Sequence, residues 1–326
     1  MRVAVTGGTG FIGGRLLPLL QEAGHEVRCL VRDVDRARKR VPEGVDLVKY
    51  DPYDVESVHA ALRGGDEENP GAPIDAVINL AGASVAGVRW TGSGKKLIRD
   101  SRVVGTRVLV EAMKELPQRP TTLLSASAVG FYGPREAEDR CEEDEYDATQ
   151  FAARDFLSHV CREWEAAARK AELQGHRVVR LRIGVVLGRG GGALAEMEMP
   201  FKMGVGGPIG NGKQVMSWIH REDAARMIVW ALDTRTVAGP LNVTAPRPVT
   251  NKEFSSALGR ALGRPAFMPV PVIALRVLKG KVAEMLASGQ SVLPEKALSL
   301  GFEFRYPTID EALGEIYAKP AVAQAG

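Results

Sequence analysis

Cysteine is scarce in this chain. Cys29, Cys141 and Cys161 are odd in number and far apart, which argues against a disulfide framework and fits a reducing compartment, the cytoplasm. The five histidines are scattered and no Cys or His pair stands at ligand spacing, so no metal site is expected. Apolar runs are short, all well under ~18 residues, so no membrane-spanning helix is expected. Neither sign of charge dominates: 43 basic against 40 acidic residues leave a net charge of +3. Nucleic acid and anionic membranes are therefore not expected partners. Met1 is followed at once by strand-like RVAVTGG, with no charged and apolar leader, so no secretory or transit peptide is expected.

What is present is a globular composition, 45% hydrophobic and 25% charged, over 326 residues. That length suits one large domain or a core domain with a smaller lobe. Strand-like segments 2–5, 26–31, 46–50, 75–80, 122–125 and 177–183 alternate with helix-like segments 12–23, 55–62, 96–116 and 155–171. Alternation at short intervals predicts an α/β fold with a doubly wound parallel sheet. The polar stretch 64–73 reads as a surface excursion, and the acidic stretch 134–150 as a solvated loop or a lid. After residue 186 the texture changes to glycine-rich (188–212) and then mostly helical with prolines at the joints (250–317).

The strongest local signal is VAVTGGTGFIGGR. Gly7, Gly10 and Gly13 follow a strand directly and open a helix. Gly7 allows a tight turn, Gly10 lets backbone N–H groups approach a pyrophosphate, and Gly13 lets helix and strand pack closely. The helix N-terminus adds unpaired donors and partial positive charge. The second strand ends in LVRDVDRARK, where an acid suits the ribose 2′-hydroxyl of NAD and an arginine the 2′-phosphate of NADP. Arg32 comes first, Asp33 second, with Arg36 as support, so NADP(H) is the expected cofactor.

The spacing in TGGTGFIG, the NLAGA stretch after the fourth strand, SASAVGFYG (125–133) and SWIHREDAA (217–225) together resemble the short-chain dehydrogenase/reductase superfamily, in particular its extended branch. INLAGASVAGVRW, RDSRVVGTRVLVEAM, VCREWEAAA, LRIGVVLGRGGGAL and the tail from GRPAF to IDEAL are similar to one atypical family within it. That family is epimerase-like and carries a characteristic C-terminal module. It is often labelled nucleoside-diphosphate-sugar epimerase or cell-division inhibitor. The resemblance runs from Met1 to about Tyr317. It implies a Rossmann-type domain, 1–185 and 217–245, and a small, mostly helical C-terminal substrate lobe, 186–216 and 246–318, with a cleft between them. It also implies NADP(H) held by Gly7, Gly10, Phe11, Ile12, Gly13, Arg32, Leu80, Ala81, Gly82, Arg102 and Ser125, and a cleft lined by Trp90, Trp218 and His220.

The superfamily's proton donor is a tyrosine with a lysine four residues on, which falls on the same helical face. None of the six tyrosines, 50, 53, 132, 146, 306 and 317, has that lysine. The helix places Cys161 and Glu165 at the two positions instead, and the resembled family shares this absence. Cys161 reads as a small core residue. Glu165 is expected to accept hydrogen bonds from the nicotinamide ribose. Ser127 matches the superfamily's serine, and Tyr132 is a candidate for the missing donor. Two classes of function stay open: an oxidoreductase acting on an unidentified small carbonyl or alcohol, and a catalytically silent NADP(H)-dependent binding or regulatory protein. A third, sugar-nucleotide epimerase, leans hardest on the absent tyrosine. The superfamily often dimerises through helices here near 96–116 and 155–171, but no spare apolar stripe fixes an oligomeric state.

Overall fold

In the computed structural model, the structure describes residues 1–64, 72–85, 87–116, 120–134, 140–141, 143, 155–266, 268–271, 273 and 288–318. Most of the acidic stretch 134–150 and most of 64–73 lie outside them.

Seven strands form one parallel sheet: β1 (Arg2–Thr6), β2 (Glu26–Val31), β3 (Asp46–Lys49), β4 (Ala76–Asn79), β5 (Thr122–Ala128), β6 (Arg177–Ile183) and β7 (Gly239–Val243). Their spatial order is β3-β2-β1-β4-β5-β6-β7 and every neighbouring pair is parallel. Order reverses between β1 and β4. The crevice beyond their carboxyl ends is therefore the natural ligand position of such a sheet.

The strands are apolar on both faces because helices cover both. On one side, α1 (Gly13–Glu22) and α7 (Arg221–Asp233) bury Leu16, Leu17, Leu20, Ala224 and Ile228 against Val3 and Val5. On the other, α3 (Val55–Arg63) and α4 (Gly92–Lys114) bury Val58, Leu62, Leu109 and Met113 against Ala4 and Leu123. Beside α4 lies α5 (Phe156–Arg169), the amphipathic helix expected at 155–171, started by an Asp155 capping box and burying Val160, Trp164 and Ala168. Ala23 ends α1 and Gly24 follows at φ +77°, the left-handed position that glycine takes without strain.

A separate apolar cluster gathers α6 (Gly192–Lys202), α8 (Asn251–Leu262) and α10 (Ile309–Tyr317) around Leu194, Phe201, Phe254, Leu258 and Leu313. A short helix, α9 (Glu295–Ser299), lies against β7. Asp223, in the first turn of α7, is fully buried. Its carboxylate accepts from the backbone N–H groups of Arg305 (2.9 Å) and Tyr306 (2.8 Å) and from Arg226 (3.0 Å). The tail is thereby pinned to the sheet domain. Among the described residues no helix is long and apolar enough to cross a membrane, and no group of side chains could hold a metal ion.

Candidate functional site

The crevice at the switch point is a pocket of about 490 Å³. Gly7 and Gly10 form one wall, Leu80 to Ala83 the opposite one, and Arg32, Arg36 and Arg40 its far end. The glycines are required by space. A Cβ on Gly7 would sit 2.7 Å from the carbonyl carbon of Leu80, and one on Gly13 would sit 2.4 Å from the Gly7 oxygen. Gly10 is set by its N–H, which donates to the Gly7 oxygen at 2.9 Å and closes the turn. Thr6 reinforces the floor: its hydroxyl donates to Asn79 Oδ1 at 2.7 Å and accepts from the N–H of Ala81 at 3.3 Å.

At the end of β2 the two candidate residues part company. Asp33 is the N-cap of α2 (Val34–Arg38), its carboxylate accepting from the N–H of Arg36 at 3.0 Å. Arg32 lines the pocket, and Asp33 borders it as well while its carboxylate serves the cap. Arg36 and Arg40, one helical turn apart, face it too, and none of the three has a carboxylate partner among the described residues. Arg40 was not singled out from the sequence. Its four-residue spacing from Arg36 was the available signal, missed because no helix was expected at 34–38. Tyr50, Tyr53, Leu97 and Ser101 complete the lining. Burial pushes the Tyr50 hydroxyl up to about 12, despite the opposing charge of Arg32.

The Phe11 side chain does not enter the pocket. Its ring lies in a cradle of glycines; a Cβ on Gly191 or Gly192 would approach it to 2.9 and 2.8 Å, and Arg221 lies 5.0 Å above it. Ile12 N-caps α1. Ser125 is wholly buried and its hydroxyl has no hydrogen-bond partner. Arg102, expected in the cofactor shell, stands apart from the pocket lining. It lies behind Gly82, with Nη1 donating to the Ile98 carbonyl at 3.0 Å and its guanidinium 5.2 Å from the Trp164 ring.

The ends of β5 and β6 carry the residues expected to do chemistry. The Ser127 hydroxyl donates to Glu165 Oε1 at 2.8 Å. Arg182 on β6 donates to both Glu165 oxygens, at 2.9 and 3.0 Å, and Arg180 lies 3.5 Å from Oε2. Arg182 also donates to the Tyr132 oxygen at 3.0 Å, and Tyr132 in turn donates to Asn242 Oδ1 at 2.8 Å. The Phe131 ring stacks on the Arg182 guanidinium at 3.7 Å. Glu165 is thus spent inward rather than offered to a ribose, and is 4% exposed. Burial raises the Tyr132 hydroxyl well above its ordinary range and the Cys161 thiol to about 12. Glu143, from the acidic stretch, accepts from the N–H groups of Asn242 (2.9 Å) and Lys296 (3.1 Å), and burial raises its carboxyl.

The three expected cleft residues are dispersed. Trp218 is fully buried in the cluster around α8, its N–H on the Arg247 carbonyl at 3.0 Å, so it is core rather than cleft. His220 N-caps α7, pairs with Glu315 at 3.0 Å and packs on Tyr306. Trp90 is half-buried, edge-on to Phe156, with its N–H on the Val85 carbonyl.

Residues 3–243 match the NAD dependent epimerase/dehydratase family. The chain belongs to that family. Residues 270–316 match a domain of unknown function, DUF1731. The epimerase family protein SDR39U1 homolog, chloroplastic, of Arabidopsis thaliana is 41% identical over 322 residues, covering 97% of this chain and 86% of the relative. Epimerase family protein YfhF of Bacillus subtilis is 39% identical over 318 residues, 98% of both chains. The crystal structure of human SDR39U1, isoform 2, with NADPH superposes with a TM-score of 0.81 at 36% identity, covering 97% of this chain and 99% of that one. Fold and family are thus those of an extended, atypical short-chain dehydrogenase/reductase with its C-terminal module.

Proposed function

We propose that the switch-point pocket binds NADP(H), and that the chain works as an NADP(H)-dependent binding protein lacking the usual side-chain acid. The carrying observation is the arrangement after β2: Asp33 borders the pocket with its carboxylate committed to a helix cap, while Arg32, Arg36 and Arg40 line the pocket without a carboxylate partner among the described residues. A ribose hydroxyl calls for an acid there and a phosphate for guanidinium groups. The glycine turn and the start of α1 would receive the pyrophosphate. The human relative crystallised with NADPH supports the same assignment.

When bound, the nicotinamide can give or take a hydride. A carbonyl reduced beside it also needs a proton. The Ser127 hydroxyl already donates its hydrogen bond to Glu165. Freeing it forfeits a hydrogen bond to a charged group, about 1.5–3 kcal/mol, roughly a tenfold to hundredfold loss in rate. Burial makes Tyr132 and Cys161 poor acids near neutral pH. A second reading is favoured by Ser127 itself, kept at the end of β5: an oxidoreductase on a small carbonyl or alcohol, with Ser127 polarising the oxygen and water giving the proton. Sugar-nucleotide epimerisation moves a proton both ways and fits the closed network least.

The proposal places the cofactor in 1–185 with 217–245 and gives 186–216 with 246–318 a separate lobe, which the cluster around α6, α8 and α10 supports. Free buried thiols at Cys29 and Cys161 support a cytoplasmic home. The test is equilibrium titration with NADPH and NADH. NADPH is expected to bind at least about tenfold tighter, ~1.4 kcal/mol; equal affinities sink the cofactor assignment. At saturating NADPH, a panel of small aldehydes and ketones is expected to give no turnover. Steady oxidation that Ser127→Ala abolishes would replace the binding-protein reading with the oxidoreductase.

A further inference from the structure

Arg102 is a part-buried cation of the α4–α5 seam that no part of the proposed cofactor site explains. Within that seam Arg99 is held by both Glu163 oxygens, at 2.6 and 2.9 Å. Arg102, one turn on, has only the Ile98 carbonyl and the Trp164 face, and no carboxylate among the described residues reaches it. A buried charge left without a counter-charge is costly, and burial accordingly draws Arg102 below the usual arginine range.

Gly82 supplies the second observation. Its φ is not positive, so the backbone does not demand glycine there. A Cβ there would stand 3.2 Å from Arg102 Cζ and 3.4 Å from Nη2, a tight approach that glycine relieves. The missing side chain leaves a window over the guanidinium, opening where Gly82 itself is exposed. Two turns earlier on the same face of α4, Lys95 also has no acidic partner among the described residues and lies over the rings of Trp90 and Phe156, at 5.8 and 5.0 Å.

We propose that the Gly82 window and Arg102 form an anion site for a second small ligand, one carrying a carboxylate or phosphate beside the bound cofactor, with Lys95, Trp90 and Phe156 along its approach. This rests on the pocket being a dinucleotide site. The cofactor's own anions are provided for elsewhere, the 2′-phosphate by Arg32, Arg36 and Arg40 and the pyrophosphate by the glycine turn. Arg102 instead faces the α5 side, where Cys161 stands at the superfamily's tyrosine position.

The experiment has two stages. NADPH is first titrated into the wild type, Arg102→Ala and Arg102→Lys. The NADPH-loaded proteins are then titrated with benzoate and phenyl phosphate, read by the fluorescence of bound NADPH. The expected result is saturable binding of at least one probe to the wild type, weakened about tenfold or more in Arg102→Ala and partly kept in Arg102→Lys, with NADPH affinity within about twofold throughout. No NADPH binding to the wild type overturns the dinucleotide reading itself. NADPH binding without a saturable probe response overturns only the anion site. A tenfold loss of NADPH affinity in Arg102→Ala assigns the window to the cofactor and also overturns it. Arg102→Lys, which keeps the charge, separates a folding defect from a binding one.

Discussion

The strand ends of β1, β2 and β4 and those of β5 and β6 share one edge of one sheet, and their polar groups are used in opposite ways. At the first, Arg32, Arg36 and Arg40 border an open volume, and Asp33 beside them caps a helix rather than pairing with them. At the second, Ser127, Glu165, Arg182, Tyr132 and Asn242 answer one another. Charge left unanswered beside a cavity waits for a ligand, because the protein itself gains nothing by holding it there. Charge that is fully paired inside specifies the packing of the elements that carry it. The contrast separates a site from a scaffold on the same edge of the same sheet.

The sharpest way to break it is Glu165→Ala. Removing one partner of a buried pair strips Arg182 of its bidentate carboxylate, while Arg180 keeps Glu172 at 2.6 Å, and is expected to cost about 3–5 kcal/mol. Denaturant or thermal unfolding reads that loss, with NADPH affinity unchanged at low temperature. Intact stability with lost NADPH binding would return Glu165 to the cofactor. Next is Arg32→Asp, expected to narrow the preference for NADPH over NADH by about tenfold, ~1.4 kcal/mol, with the melting temperature unmoved. Ser127→Ala should cost about 1.5 kcal/mol of stability, the low end for a bond to a charged group, because Glu165 keeps Arg182.

The smallest effect is in pH. Burial lowers the pKa of His220 against the opposing pull of Glu315. The folded state therefore binds fewer protons there than the unfolded one. Its contribution is present above the unfolded value of about 6.5 and fades as pH falls below it. Melting curves between pH 7 and 5.5 should fall more steeply for the wild type than for His220→Asn, which retains a cap for α7. Identical slopes would contradict this.

The alternation of strands and helices, the glycine turn and Arg32 were legible in the sequence because each rests on local spacing. The extent of β5 was underread: it runs to Ala128, three residues past the expected end, and so carries Ser127 inside the sheet. Tertiary partners were the hidden part. Nothing local in CREWEAAA says that Glu165 meets Arg182, seventeen residues on and across a strand. Trp218 looked like a cleft residue for the same reason, its burial being decided by α8 and α10. Arg32 was read ahead of Asp33, and the cap that Asp33 makes belongs to a five-residue helix that the periodicity was too short to announce.

Asp223 carries a consequence in time. Its carboxylate is sealed at the start of α7 and answered by the amides of residues 305 and 306. A ribosome still making residue 300 has completed all seven strands but not that counterpart. The nascent sheet domain then holds that carboxylate with Arg226 beside it but without its two amide donors from the tail. Assembly of this protein therefore finishes at its tail, and a chain cut short before Arg305 should be recognised by the cell as unfinished.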